Sequence, residues 1–388
     1  MSNLISYKIF ECAVDPARIP GRAPTVLVVG AVHAGSEGLA INLSEEGYQV
    51  VLVDNSTDSS SLSSLRKSRT IVSSDEYISD PDLRDTVGWS VAVNLVNLID
   101  NHVTGGWNRY TAFIALRLDQ QDADLVRALH IQTSKRGGLS AYIGYGSQLS
   151  IQQTLQAFER IGDYPILLHL PESNTELINA LVDAAKRGDL AQDALPFHPE
   201  LDQFRASLGP VRPRERSRSS HFAFSDLAIE SQLKINDTDR SAAAMSYSRT
   251  LSLLKSTMGP RFPVEQLWDQ HTYFEFASRD SAKTMSTMVS DPYVNHVACL
   301  TGGADFVQLA RFYEHHFTTV SPPDTALIPI SHTIATDSII DEMVFSCTHT
   351  TMIDYFLPGV PPTRRKLRIP IVGIVNLRGH KLAYESLY

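Results

Sequence analysis

The stretch VLVVGAVHAGSEGLAINLSEEGYQVVLVD, Val26 to Asp54, reads as strand, glycine turn, amphipathic helix and strand. That is the outline of a βαβ unit at the start of an open parallel sheet. A dinucleotide site on such a unit needs G-x-G-x-x-G after the first strand. The run here is Gly30-Ala31-Val32-His33-Ala34-Gly35, with valine in the middle position. A β-branched side chain there obstructs the approach of backbone to a pyrophosphate. Asp54 could meet a ribose, but it also simply ends a strand. The unit therefore argues for an α/β sheet whatever its ligand, and against a dinucleotide site.

Outward from this unit, strand-like and helix-like segments alternate as far as residue 258. Strands are expected at Thr25–Gly30, Gln49–Asp54, Thr111–Leu116, Leu139–Ile143 and Pro165–Leu170. Helices are expected at Ser36–Glu46, Val87–Asp100, Asp122–Ser134, Leu149–Ile161, Thr175–Lys186 and Ser241–Thr257. The alternation predicts a mostly parallel sheet with helices on both faces. After Gly259-Pro260 the texture changes. A long aromatic-rich helix is expected from Val264 to about Val289, a turn at Asp291-Pro292, a glycine pair at Gly302-Gly303 and a helix at Asp305–His316. Strands follow at Leu327–His332, Ile339–Thr348 and Leu367–Leu377, an α+β pattern. Two domains are expected, 1–258 and 262–388.

Bulk composition excludes several classes. The 388 residues are 43% hydrophobic and 20% charged, which suits a large core. The net charge of −9 argues against phosphate-backbone binding to nucleic acid. The basic run Arg212–Arg218 has no interleaved aromatics and reads as an exposed loop. Cys12, Cys299 and Cys347 are far apart, so neither a disulfide framework nor a zinc site is indicated. No apolar run is long enough for a membrane span, and the N-terminus lacks signal-peptide character. A cytoplasmic setting is the default expectation.

The segment Gly138-Leu139-Ser140-Ala141-Tyr142-Ile143-Gly144-Tyr145-Gly146 resembles the nucleophile elbow of the dienelactone hydrolase family. Laid on that motif, the nucleophile position falls on Ile143. The family's acid follows a strand matching Pro165–His169 and falls on Asn174, with Glu172 nearby. The family's histidine matches His221, and His33 falls near the oxyanion-side loop. Isoleucine cannot attack a carbonyl, and a lone histidine cannot restore a triad. The resemblance implies a degenerate α/β-hydrolase domain, a scaffold or a pocket with rewired chemistry. Ser140 and Ser147 flank the elbow but fall off the strained turn.

The segments WDQHTYFEFASRD, MVSDPYVNHVACLTGG, RFYEHHF, DEMVFSCTHTTMIDYFLPGVPPT and IPIVGIVNLRGHKL resemble the SnoaL-like domain found fused to dienelactone-hydrolase-like domains in fungal proteins. The resemblance implies an α+β cone around an apolar pocket. It also implies polyketide cyclisation by acid–base side chains, with no metal or organic cofactor. Enolisation needs a base near the carbon acid and a donor at the developing oxyanion, in a water-poor pocket. Candidates are His271, His296, Asp341, Glu342, His349 and Asp354, with Glu275 beside His271. His271 and Glu275 share a helix face at i,i+4, as a functional pair or a surface pair. His296 reads equally as a pocket histidine or a cap. Strand alternation puts Asp341, Met343, Phe345, Cys347 and His349 on one face and Glu342 on the other. His315 and His316 read as structural, closing a helix.

The expected function is a cofactor-independent cyclase closing an aldol or lactone (pyrone) ring on a small polyketide-like substrate. A non-catalytic binding or scaffold protein is the alternative, and a rewired hydrolase or lactonase the weaker one. No nucleic-acid or membrane partner is expected, and self-association into a homo-oligomer is left open.

Overall fold

The computed structural model describes residues 6–19, 21–30, 34–54, 87–103, 105–116, 120–145, 152, 165–169, 176–177, 179–181, 183 and 237–388. The chain divides into two compact units, Met1–Pro260 and Arg261–Tyr388.

The first unit contains a six-stranded sheet in the order β1-β3-β2-β4-β5-β6. The strands are β1 Ser6–Phe10, β2 Thr25–Gly30, β3 Gln49–Asp54, β4 Thr111–Ala115, β5 Ala141–Tyr145 and β6 Ile166–His169. β1 runs antiparallel to β3, and every other neighbouring pair is parallel. Among the described residues the long helices are α1 Ala34–Glu45, α2 Val87–His102, α3 Gln120–Thr133 and α4 Asp237–Met258. Alternation within β2 explains its unbroken apolar sequence. Leu27 and Val29 join a core with α2 and α3, while Val26 and Val28 join one with Leu39 and Leu43 of α1 and Leu251 and Leu254 of α4. A strand covered on both faces has no polar side to show.

The elbow reading requires a correction. β5 runs on to Tyr145, so Ile143 lies within the strand, paired with Ile114 and Leu167 and fully buried. An elbow nucleophile needs a turn past the strand end. Asn174 and His221, with Glu172, His33 and Ser147, lie outside the described residues. Ser140 precedes the strand and its hydroxyl donates to the Arg109 carbonyl.

The second unit contains α5 Val264–Thr272, α6 Ser281–Ser286, β7 Met288–His296, β8 Thr301–Gly303, α7 Phe306–Phe312, β9 Ala326–Ile334, β10 Ser338–Thr348, β11 Lys366–Arg378 and β12 Lys381–Leu387. The sheet order is β8-β7-β12-β11-β10-β9. Its pairs are antiparallel except β12 with β7. One sheet face packs against the helices through Met343, Phe345, Ile371, Val375, Leu309 and Phe317.

The expected helix from Val264 to Val289 is broken. α5 passes into a π-helical turn over Tyr273–Ala277. Arg279 then takes a left-handed conformation with φ of 53°, and Asp280 caps α6 by accepting from the Lys283 amide at 3.0 Å. The Asp291-Pro292 and Gly302-Gly303 turns are absorbed into β7 and β8. Pro292 falls where the β12–β7 register is irregular, so its missing N–H breaks no regular ladder.

Candidate active site

Polar side chains converge inside the second unit, on a narrow cavity of about 20 Å³. α5 and its π turn place Trp268, His271 and Glu275 on one face, at i, i+3 and i+7. β12 brings Glu385 and Leu387 to the same space, β7 brings His296, and the π-helical turn Tyr313–Phe317 that follows α7 brings Tyr313 and Phe317. Met343 and Phe345 of β10 and Ile371 of β11 form the apolar floor.

His271, Glu275 and Glu385 are all buried. The surface-pair reading of His271 and Glu275 is therefore set aside. His271 Nε2 lies 3.1 Å from Glu275 Oε1, and Nδ1 lies 2.6 Å from Thr287 Oγ1. Thr287 already donates its one hydroxyl proton to the Thr284 carbonyl at 2.6 Å. It must accept from His271, which fixes the proton on Nδ1 and leaves the lone pair on Nε2. Nε2 and a carboxylate oxygen then face each other, and a proton has to sit between them. The Tyr313 hydroxyl stands 3.4 Å from Nε2. Burial pushes its pKa well up, helped by Glu275, Glu385 and its hydrogen bond to Glu275. Burial, then the nearby Glu275 carboxylate, pushes the Glu385 carboxyl well above the usual range. Both causes favour the protonated form of Glu385.

His296 is 2% exposed and ringed by Phe312, Phe317, Tyr355 and Phe356. Burial lowers its pKa to about 4, partly offset by a hydrogen bond to the Tyr355 carbonyl. Its Nδ1 is 3.0 Å from Thr301 Oγ1, which itself donates to that same carbonyl. His296 is thus a neutral imidazole in the cavity wall.

The remaining expected residues fall elsewhere. Asp341 lies behind the wall, accepting the Trp268 indole N–H at 2.6 Å and a hydrogen bond from the His332 ring. Trp268 in turn stacks on His271 at 5.7 Å. His349 is buried beyond the cavity, with Nδ1 3.1 Å from Thr363 Oγ1 and no partner for Nε2. Glu342 is on the exposed sheet face, accepting from Ser331. Asp354 forms an exposed ion pair with His316 at 3.2 Å, so His316 is not merely a helix end.

No protein-family model matches the chain. No curated protein matches it either. Solved structures do. A protein of ketosteroid isomerase-like fold from Catenulispora acidiphila DSM 44928, in complex with trimethylamine, is 14% identical, covering 33% of this chain and 86% of its own, at a TM-score of 0.25. A protein named as a SnoaL-like polyketide cyclase from Jannaschia sp. CCS1 is 15% identical over 34% of this chain and 90% of its own, at 0.26. One named as a polyketide cyclase from Acidithiobacillus ferrooxidans is 14% identical with the same coverage and score.

Reasoning from sequence missed Glu385 and Tyr313. The signal for Glu385 was present: Gly379-His380 is a two-residue hairpin turn, and alternation after it sets Ala383, Glu385 and Leu387 on one face. No comparable signal marks Tyr313, one aromatic among several in RFYEHHF.

Proposed function

We propose that the second unit is an acid–base catalyst that closes a ring on a polyketide-like polycarbonyl substrate, by aldol or lactone (pyrone) chemistry. The observation that carries this is the buried cluster of His271, Glu275 and Glu385, in which His271 pairs with Glu275 and both carboxyl groups line one narrow cavity. Once its shared proton has passed to bulk water, the couple removes the proton α to a carbonyl. In the aldol case the enolate carbon attacks a second carbonyl of the same chain and Glu385 gives its proton to the developing alkoxide; in the lactone case the enolate oxygen attacks the terminal thioester carbonyl, the C–S bond breaks, and Glu385 gives its proton to the departing thiolate. The proton taken at carbon then returns Glu385 to its acid form through Glu275. Tyr313 donates alongside, and Trp268 and Phe345 exclude water. Residues 1–258 serve in this reading as a dienelactone-hydrolase-like scaffold in a cytoplasmic fungal protein. Its mostly parallel sheet supports that part.

One observation favours the non-catalytic alternative. A cavity of about 20 Å³ holds a guest the size of one water, since a water needs roughly 10–15 Å³. Side chains of the wall must swing aside to admit a polyketide.

The test is to incubate the full chain with linear triketide and tetraketide thioesters and follow ring closure by mass spectrometry. Glu385→Gln and His271→Asn are each expected to cut kcat by about 10²–10⁴-fold. Undiminished turnover in both variants overturns the site. Saturable ligand binding with no turnover in any form selects the binding protein.

A further inference from the structure

His271 and Glu275 lie one helical turn apart, and Glu385 reaches them from β12. One donor atom from each lies within 4.8 Å of the other two. Nε2 of His271 presents a lone pair to Glu275 Oε1 at 3.1 Å, because Thr287 holds the ring proton on the far nitrogen. Two lone pairs meeting at that distance require a positive centre between them, and a metal ion meets the requirement as a proton does. The Glu385 side chain, 4% exposed, lines the cavity. An imidazole with its second nitrogen tied to a fixed acceptor is the arrangement in which histidines ligate metals.

We propose that His271 Nε2, Glu275 and Glu385 form a binding site for a divalent transition-metal ion, with a fourth position open to the cavity. One imidazole and two carboxylates suit zinc or a neighbouring first-row ion, and the nitrogen donor disfavours calcium and magnesium. The charges also balance. Two carboxylates cancel a divalent cation, so the filled site is neutral in its apolar surroundings. The cavity's about 20 Å³ fits a water as fourth ligand. Tyr313, 3.4 Å from Nε2, stands beside that ligand position. The resemblance of residues 262–388 implies chemistry without a metal, so this goes beyond it. The site stands on its own geometry; only its consequence rests on the acid–base reading, because a bound ion displaces the protons that reading uses and blocks turnover.

The full chain, stripped with a chelator and then freed of it, is titrated with Co²⁺. One equivalent should bind with visible d–d absorption and be displaced by Zn²⁺. Glu385→Gln and Glu275→Gln should each weaken binding at least ~10–100-fold, and Thr287→Val, which frees the ring proton, should do so while leaving all three ligands in place. Circular dichroism checks each fold, and Thr287→Val decides the matter if a ligand variant unfolds. No saturable one-equivalent binding, or equal affinity in all variants, overturns the site. Because the titration uses no substrate, a failed metal site leaves the cyclase reading intact. Metal binding without turnover in the stripped protein sinks the cyclase reading alone.

Discussion

Burial works in opposite directions on two of the titratable groups that line the cavity, Glu385 and His296. Glu385 is pushed well above its usual value by burial and by Glu275. Its contribution to folding is complete at acid pH and is lost as pH rises through that raised value. His296 is lowered to about 4 by burial. An unfolded chain gains its proton near ~6.5, so stability is full above that pH and is lost as pH falls through the folded value. The window spans about 2.5 pH units, worth about 3 kcal/mol as an upper bound. Melting temperature against pH should therefore form a dome. Glu385→Gln should flatten its alkaline side, and His296→Gln its limb between about pH 6.5 and 4. Unchanged limbs in these variants would show that neither group is buried as described.

At the scale of elements, α5 and β10 are joined by a single carboxylate. Asp341 accepts from Trp268 on one oxygen and from His332 on the other, and Trp268 lies flat against His271. His332 is raised chiefly by that hydrogen bond. Asp341→Asn should return the His332 titration, followed by NMR, toward ~6.5. It should also lower kcat through a less ordered Trp268 while leaving the fold intact. A His332 that titrates as before would break this link. The alternation of β10 was legible in the sequence, and its inward face is the expected one, Met343, Phe345 and Cys347 with Asp341 and His349 at its ends. Alternation cannot say how deep a face lies, so Asp341 and His349 read as pocket groups when one braces the wall and the other lies beyond it. The helix break after Ala277 was not legible, because apolar spacing continues across it. Only Arg279's backbone and the Asp280 cap mark it. Ile143 was misplaced because β5 starts and ends two residues later than its pattern suggested. Small residues such as Gly144 fit a strand interior as well as a turn.

At the scale of the molecule, each unit has its own core. One is the two-sided sheet core of residues up to 260, the other the helix-covered sheet of 261–388. A domain with its own core folds alone. A fragment spanning 261–388 should melt cooperatively, with the His296 limb of the pH dome retained. A fragment showing no transition would place part of its core in the first unit. Within the second unit, β12 is an interior strand, hydrogen-bonded to β11 on one side and to β7 on the other. β7 is made some ninety residues earlier, Leu387 pairing with His296. On a ribosome, then, the β7 edge waits open through the synthesis of α7, β9, β10 and β11. Residues 381–387 fill that gap and carry Glu385 in with them, so the sheet and the His271–Glu275–Glu385 cluster are completed in one late event. A nascent chain halted before Lys381 would expose a bare strand edge, a target for chaperones and for self-pairing, and would hold no site at all.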